Sequence, residues 1–191
     1  MRICVPLADG FEEIEAITII DVLRRADIET ISVYLNKNPV KGAHNIFVSA
    51  DNNIENMETE TLSGIILPGG MPGSENLKKS GHVMNMLKEI NKKQGLIGAI
   101  CAAPMVLGHA GLLKNKKAVC FPGYEKFLEG AVYMDEPLVK DGNIITAKGP
   151  GCAIDFALEI VSELKSEELK DSLRKSMQVY YNLSQNLIKY E

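Results

Sequence analysis

The spacing of apolar positions alternates between two periods along the chain. Arg2 to Leu7 is a short, almost wholly apolar run and predicts a buried strand. Ala8-Asp9-Gly10-Phe11 turns the chain, and a helix is expected from about Glu12 to Ala26, with Glu12 and Glu13 at its positive end. Ile28 to Leu35, with β-branched residues at Ile28, Thr30, Ile31 and Val33, predicts a second strand. Asn36 to Pro39 is turn-rich, and Val40 to Ala50 suits a short hairpin around Gly42. Asp51 to Leu62 is polar and poorly periodic, so it is read as loop or weak helix.

Gly64 to Pro68 is a further apolar strand, running into the loop Gly69-Gly70-Met71-Pro72-Gly73. His82 to Lys93 places Val83, Met86, Leu87 and Ile90 on one helical face. An apolar run then ends at Ile100, and a short helix follows to about His109. Ala118 to Phe121, Ala131 to Met134 and Asn143 to Ala147 are short strand candidates. Gly149-Pro150-Gly151 introduces a helix from about Ala153 to Leu164, striped by Ile154, Ala157, Leu158, Val161 and Leu164. A last amphipathic helix, about Glu167 to Ile188, would use Leu169, Leu173, Met177, Tyr180, Leu187 and Ile188.

Strands alternating with helices predict parallel β-α-β units, with helices on both faces of a mostly parallel sheet. Ligands in such sheets bind at the C-terminal strand ends. Three loops compete for that edge: Ala8 to Phe11, Pro68 to Gly73 and Cys101 to Pro104. No repeat or linker interrupts the pattern. The 191 residues are therefore read as one domain, with a core of about 1–164 and a C-terminal helix of about 167–188.

Composition narrows the function classes. A net charge of −4 and a pI near 5.5 argue against nucleic acid or an anionic membrane as the main partner. No apolar run is long enough to span a bilayer. Cysteines at 4, 101, 120 and 152 form no C-x-x-C pair and no zinc spacing, so free thiols and a cytoplasmic location are expected.

The chemistry concentrates at Gly95 to Pro104. Cys101 stands on a sharp strand-to-helix turn with Ala99 and Ala103 two residues to either side, as a tight nucleophile elbow requires. Pro104 suits a first helical turn. A helix start favours thiolate, so Cys101 is expected to titrate below the free-cysteine value of about 8.5. A buried, inert structural cysteine is the other reading. Glu15 shares a helical stripe with Ile19 and Val22. A carboxyl so placed keeps its proton and can donate to a thiolate, unless the helix is apolar all round and Glu15 is exposed. The Pro68–Gly73 loop is either an amide-lined oxyanion site or a plain turn. His109, eight residues past Cys101 on one helix, is roughly 12 Å along the axis. His82 reads as solvated. His44 could approach the site only through the fold or a partner subunit, so no Cys-His pair is assigned.

Four stretches resemble one family. Asp9 to Glu15 is similar to its glutamate motif, and Leu67-Pro68-Gly69-Gly70 to its loop after the third main strand. Ala99-Ile100-Cys101-Ala102-Ala103-Pro104 resembles its elbow, and Gly149-Pro150-Gly151 its late turn. The family is the ThiJ/PfpI superfamily, in the branch of the parkinsonism-associated protein deglycase and the bacterial YajL-like proteins. The resemblance extends to about Leu164.

It implies a flavodoxin-like three-layer α/β/α sandwich and a homodimer, with the apolar first helix contributing to the interface. Cys101 would be the oxidation-prone nucleophile and Glu15 its protonated partner. Backbone amides of Gly69, Gly70 and Ala102 would bind substrate or oxyanion, and no cofactor or metal is implied. The activity implied is glutathione-independent, glyoxalase- or deglycase-like action on small 2-oxoaldehydes. The alternative is a non-catalytic oxidative-stress sensor or redox-regulated chaperone. The chain departs from the family pattern at Phe121, where some members carry histidine. It departs again at Ala102, where the protease-like branch has histidine, so peptidase activity is not expected. The His-x-Glu signature of class I amidotransferases is missing. Cys152, at a helix start, is read as structural, with a second reactive thiol as the alternative.

Overall fold

A computed structural model describes residues 1–180. In chain order the elements are β1 (Arg2–Leu7), α1 (Glu13–Arg25), β2 (Glu29–Tyr34), β3 (Val40–Lys41), β4 (Phe47–Val48), β5 (Asn52–Asn53), β6 (Gly64–Leu67), α2 (Gly73–Lys79), α3 (Gly81–Lys92) and β7 (Leu96–Ile100). They continue as α4 (Pro104–His109), β8 (Lys117–Ala118), β9 (Val132–Tyr133), β10 (Leu138–Asp141), β11 (Ile144–Ala147), α5 (Ala153–Leu164) and α6 (Glu167–Ser176).

Seven strands form the central sheet in the order β10-β11-β7-β6-β1-β2-β5. All neighbours pair parallel except β10, which returns antiparallel along the edge of β11. The buried strands β1, β6 and β7 are continuous apolar runs because both of their faces are covered. On one face α1 and α5 enclose Ile19, Leu23, Phe156 and Ile160. On the other, α2, α3 and α4 enclose Leu77, Val83, Leu87 and Val106. This is the three-layer α/β/α arrangement expected from the alternation.

Five differences from these expectations stand out. The polar Asp51–Leu62 stretch contributes β5, which pairs with β2 at Val33 and Tyr34 as the sheet's edge, followed by two 3₁₀ turns. Helix α2 starts within the glycine loop, and β10 is an edge strand with little apolar alternation. The strand candidates at Ala118–Phe121 and Ala131–Met134 shrink to the two-residue pair β8 and β9. The last helix stops at Ser176, where Gln178 turns left-handed at φ 56°. Of its expected apolar positions, Leu169, Leu173 and Met177 pack against the core and Tyr180 is exposed. Leu187 and Ile188 lie outside the described residues. Among the described residues no helix is long and apolar enough to cross a membrane.

Candidate active site

The C-terminal ends of β1, β6, β7 and β11 meet at one edge of the sheet. The loops leaving β1 and β6 are stitched together there. The Gly69 carbonyl accepts from the Glu12 amide at 2.9 Å, which fixes the start of α1. The Gly69 amide donates to Glu15 Oε2 at 2.8 Å. A Cβ at position 69 would lie 2.7 Å from Cys101 Cβ and 2.8 Å from Glu15 Oε2, so only glycine lets the two functional side chains meet. Gly69 was expected to offer its amide to substrate; the structure uses that amide on Glu15 instead.

Cys101 has φ 63°, a left-handed conformation that a non-glycine residue holds only when its surroundings impose it. Here they do. Its amide continues the sheet to the Ala147 carbonyl at 2.9 Å, and its carbonyl accepts from the Phe121 amide at 2.8 Å. Ala103 is fully buried and its amide closes the turn on the Ile100 carbonyl. Ala99 is likewise buried without remainder, so the small residues at the elbow are steric requirements. Cys101 is 9% exposed, at the floor of a pocket of about 460 Å³. Glu12, His44, Gly70, Met71, Ala102, Phe121, Tyr124 and Pro150 line its walls.

Glu15 is fully buried, which decides between the two readings of its stripe. Oε2 has the Gly69 amide, while Oε1 is buried without a hydrogen-bond partner of good geometry. The carboxyl's remaining interaction is with the Cys101 side chain. Burial pushes Glu15 up to about 7, against the opposing pull of the Gly69 amide. Burial, and then the charge of Glu15, push the Cys101 thiol up to about 12; the amides of Ala102 and Gly70 pull it down. The depressed thiol expected from the helix start is therefore corrected. Helix α4 has only six residues, and burial together with the facing Glu15 carboxyl outweighs the amides at its start. The two groups titrate as a coupled pair, each raised by burial and the thiol also by the charge of the carboxyl. A proton on Glu15 removes the repelling charge and turns the contact into a donor to sulfur.

Gly70 and Ala102 present their amides to the sulfur. Gly70 has φ +88°, and a Cβ there would come within 2.3 Å of the Glu12 amide nitrogen, so glycine is required at this position too. Cys152 is half-buried, and Cys4 and Cys120 are buried; none of the three lines the pocket.

Sequence reasoning did not place His44 at the site. The β3–β4 hairpin folds over the start of α1, and Glu13 holds its turn. Glu13 Oε1 accepts from the amides of His44 (2.7 Å) and Ile46 (3.3 Å), and Oε2 faces His44 Nδ1 at 3.0 Å. Glu12 Oε1 lies 3.4 Å from the same nitrogen. The ligand-type atoms of Glu12, Glu13 and His44 fall within 4.8 Å of one another. Glu13's oxygens are already occupied by these donors, so the cluster is a hydrogen-bonded one and not a cation cage. The only advance signal was the hairpin pattern itself, which says nothing about where the turn docks.

Comparison with known proteins agrees with this geometry. The chain is 37% identical over 179 residues to Protein dj-1beta of Drosophila melanogaster, covering 92% of this chain and 96% of the relative. It is 36% identical over 167 residues to the Glutathione-independent glyoxalase DJR-1.2 of Caenorhabditis elegans, covering 87% and 89%. A match to Protein DJ-1 homolog B of Arabidopsis thaliana, 38% identical over 177 residues, covers 92% of this chain and 40% of that longer protein. Among solved structures, oxidized DJ-1 of Toxoplasma gondii superposes with a TM-score of 0.90 at 35% identity, over 94% of this chain and 99% of that one. The model of the DJ-1/PfpI family matches residues 1–163, from the first strand through nearly all of α5. With the elbow, the buried glutamate and the glycine loop in the places described, this chain belongs to the DJ-1/PfpI family.

Proposed function

We propose that the protein converts small 2-oxoaldehydes to 2-hydroxy acids without glutathione or another cofactor, through Cys101. The observation that carries this is a buried carboxyl, lacking a full set of partners, set against a strained cysteine beneath an open pocket. The relative from C. elegans that bears the name glutathione-independent glyoxalase supports the substrate class.

The Cys101 sulfur attacks the aldehyde carbon, forming a C–S bond and moving the carbonyl electron pair onto oxygen. The amides of Gly70 and Ala102 receive that oxyanion, and Glu15 supplies its proton, giving a hemithioacetal. The ionised Glu15 then takes the proton from the same carbon, leaving an enediolate with its negative charge on the second oxygen. Return of that proton to the neighbouring carbon, with transfer of the hydroxyl proton from one oxygen to the other, gives a 2-hydroxy thioester. The first carbon is oxidised by two electrons and the second reduced by two, so no external redox partner is needed. Water attacks the thioester, the C–S bond breaks, and the acid leaves with the sulfur restored. Methylglyoxal supplied without glutathione should yield lactate with the wild type and none above background with Cys101→Ser. Equal turnover by Cys101→Ser would overturn the reading.

A second reading, an oxidation sensor or redox-regulated chaperone, draws on the same geometry. The two amides and a protonated Glu15 suit the oxygens of a sulfenic or sulfinic acid on Cys101. Absence of turnover in the assay above, with reversible oxidation at Cys101, would favour it. Four free thiols suit a reducing compartment such as the cytoplasm. Exposed Ile14 and Ile17 on α1, with Ile46 and Phe47 on the hairpin, support a homodimer built on that surface. Light scattering should give twice the chain mass at micromolar concentration, and a monomer there would refute it.

A further inference from the structure

The reaction proposed above needs proton transfer at two places. Glu15 lies beneath the sulfur and is sealed from solvent. Hydrolysis of the thioester needs a base on the solvent side, where the attacking water must arrive. Among the residues lining the pocket, His44 is the group on that side whose ordinary titration range lies near neutral pH.

Resting on that reading for its natural substrate, we propose that His44 is the general base that activates water in the deacylation of Cys101, and that Glu13 is its positioning residue. The geometry supports each part. Glu13 Oε2 is 3.0 Å from Nδ1, and a carboxylate there requires Nδ1 to carry the proton. That leaves Nε2 as the basic nitrogen, and it makes no hydrogen bond to the described residues. The His44 side chain is 68% exposed at the pocket wall, so water reaches Nε2 directly. Its backbone is held independently, through the amide bonded to Glu13 Oε1 at 2.7 Å. The arrangement is therefore a carboxylate–imidazole pair whose ring lines the cavity that Cys101 also lines.

In the step itself, Nε2 takes one proton from water while the water oxygen bonds to the acyl carbon. The electron pair of the carbonyl moves to its oxygen, which the amides of Gly70 and Ala102 hold. Collapse re-forms the carbonyl, breaks the C–S bond and releases sulfur as thiolate. The proton on His44 then passes to solvent or to the departing acid.

The charged groups facing His44 are Glu13 and Glu12, both at the start of α1. The hydrogen bond that the ring donates to Glu13, then the negative charge of Glu12, hold the imidazole above its ordinary range. Deacylation uses the neutral ring, so its rate should rise with pH through a midpoint above about 6.5.

The test acylates Cys101 with p-nitrophenyl acetate and follows loss of the acyl group by intact mass, with peptide mapping and Cys101→Ser as controls. This needs no glyoxalase chemistry, so its outcome is separate from that of the methylglyoxal assay. In His44→Gln the acyl adduct should still form, but its hydrolysis should slow about a hundredfold and lose its pH midpoint. Glu13→Gln should slow hydrolysis less than His44→Gln does and move the midpoint to lower pH, because the charge that favours imidazolium is gone. With methylglyoxal, His44→Gln should accumulate a hydroxylamine-sensitive thioester on Cys101. Hydrolysis within twofold of wild type, with the same pH profile, in His44→Gln would overturn the proposal. If wild type fails on methylglyoxal while deacylation still depends on His44, the substrate class is wrong and the base assignment stands.

Discussion

Glu13 and Glu15 sit two residues apart on α1, and both are nearly sealed from solvent, at 6% and 0% exposure. Their chemistry diverges. Burial alone would push Glu13 up, but hydrogen bonds from its own amide, the His44 ring and the amides of His44 and Ile46 hold it below the ordinary carboxylate range. Glu15 has one amide and a sulfur, and burial pushes it up to about 7. The difference teaches that burial raises a carboxyl only until donors outweigh it: Glu15, deeper and with fewer donors, is raised, and Glu13, with more, is lowered. One helix turn thus carries an anion that organises a hairpin and a raised carboxyl that faces the Cys101 sulfur.

The largest test of this contrast removes the anion. Glu13→Leu should destabilise the fold by about 3 kcal/mol, because the amides of His44 and Ile46 and the His44 ring lose their acceptor. Denaturant unfolding at pH 7 measures it; a change under about 1 kcal/mol would mean that the hairpin does not depend on Glu13.

The raised carboxyl should behave oppositely. A carboxyl raised from its ordinary value of about 4.5 to about 7 binds more protons folded than unfolded between those values. Its contribution is neutral below about pH 4.5, becomes unfavourable as pH rises through the window, and levels off above 7. Glu15→Gln, which cannot ionise, should therefore be more stable than wild type at pH 8 by up to about 3 kcal/mol, with the gain vanishing at pH 4. An equal difference at both pH values would show that Glu15 ionises freely in the folded state.

The smallest effect sharpens the roles within the Glu15–Cys101 pair. If the reactive form is thiolate facing a protonated carboxyl, Glu15→Leu should slow iodoacetamide alkylation of Cys101 at pH 7 by about tenfold, or about 1.4 kcal/mol, and Glu15→Gln should slow it less. Faster alkylation in Glu15→Leu would show that Glu15 acts on sulfur as a repelling charge.

Much of this was legible in the chain. Apolar periods decided the strands and helices that make the sandwich, because burial on both sheet faces forces continuous runs in β1, β6 and β7. The elbow was legible too: small residues around Cys101 and Pro104 after it leave few other conformations. The stripe with Ile19 and Val22 marked Glu15 but did not decide whether it faced the core or the solvent. β10 and β5 were not legible, since edge strands owe their pairing to a neighbour rather than to their own alternation.

The sequence by itself determined which residues could act, through local rules of period, turn and size that hold before any long-range contact forms. Tertiary structure decided how they act. Only the approach of Gly69 to Glu15, 54 residues apart, sets one carboxyl against the sulfur. Only the docking of the hairpin on α1, 31 residues from Glu13 to His44, brings an imidazole to the pocket. Titration depends on desolvation and on donors arriving from distant segments. Those quantities exist only once the chain has closed around them.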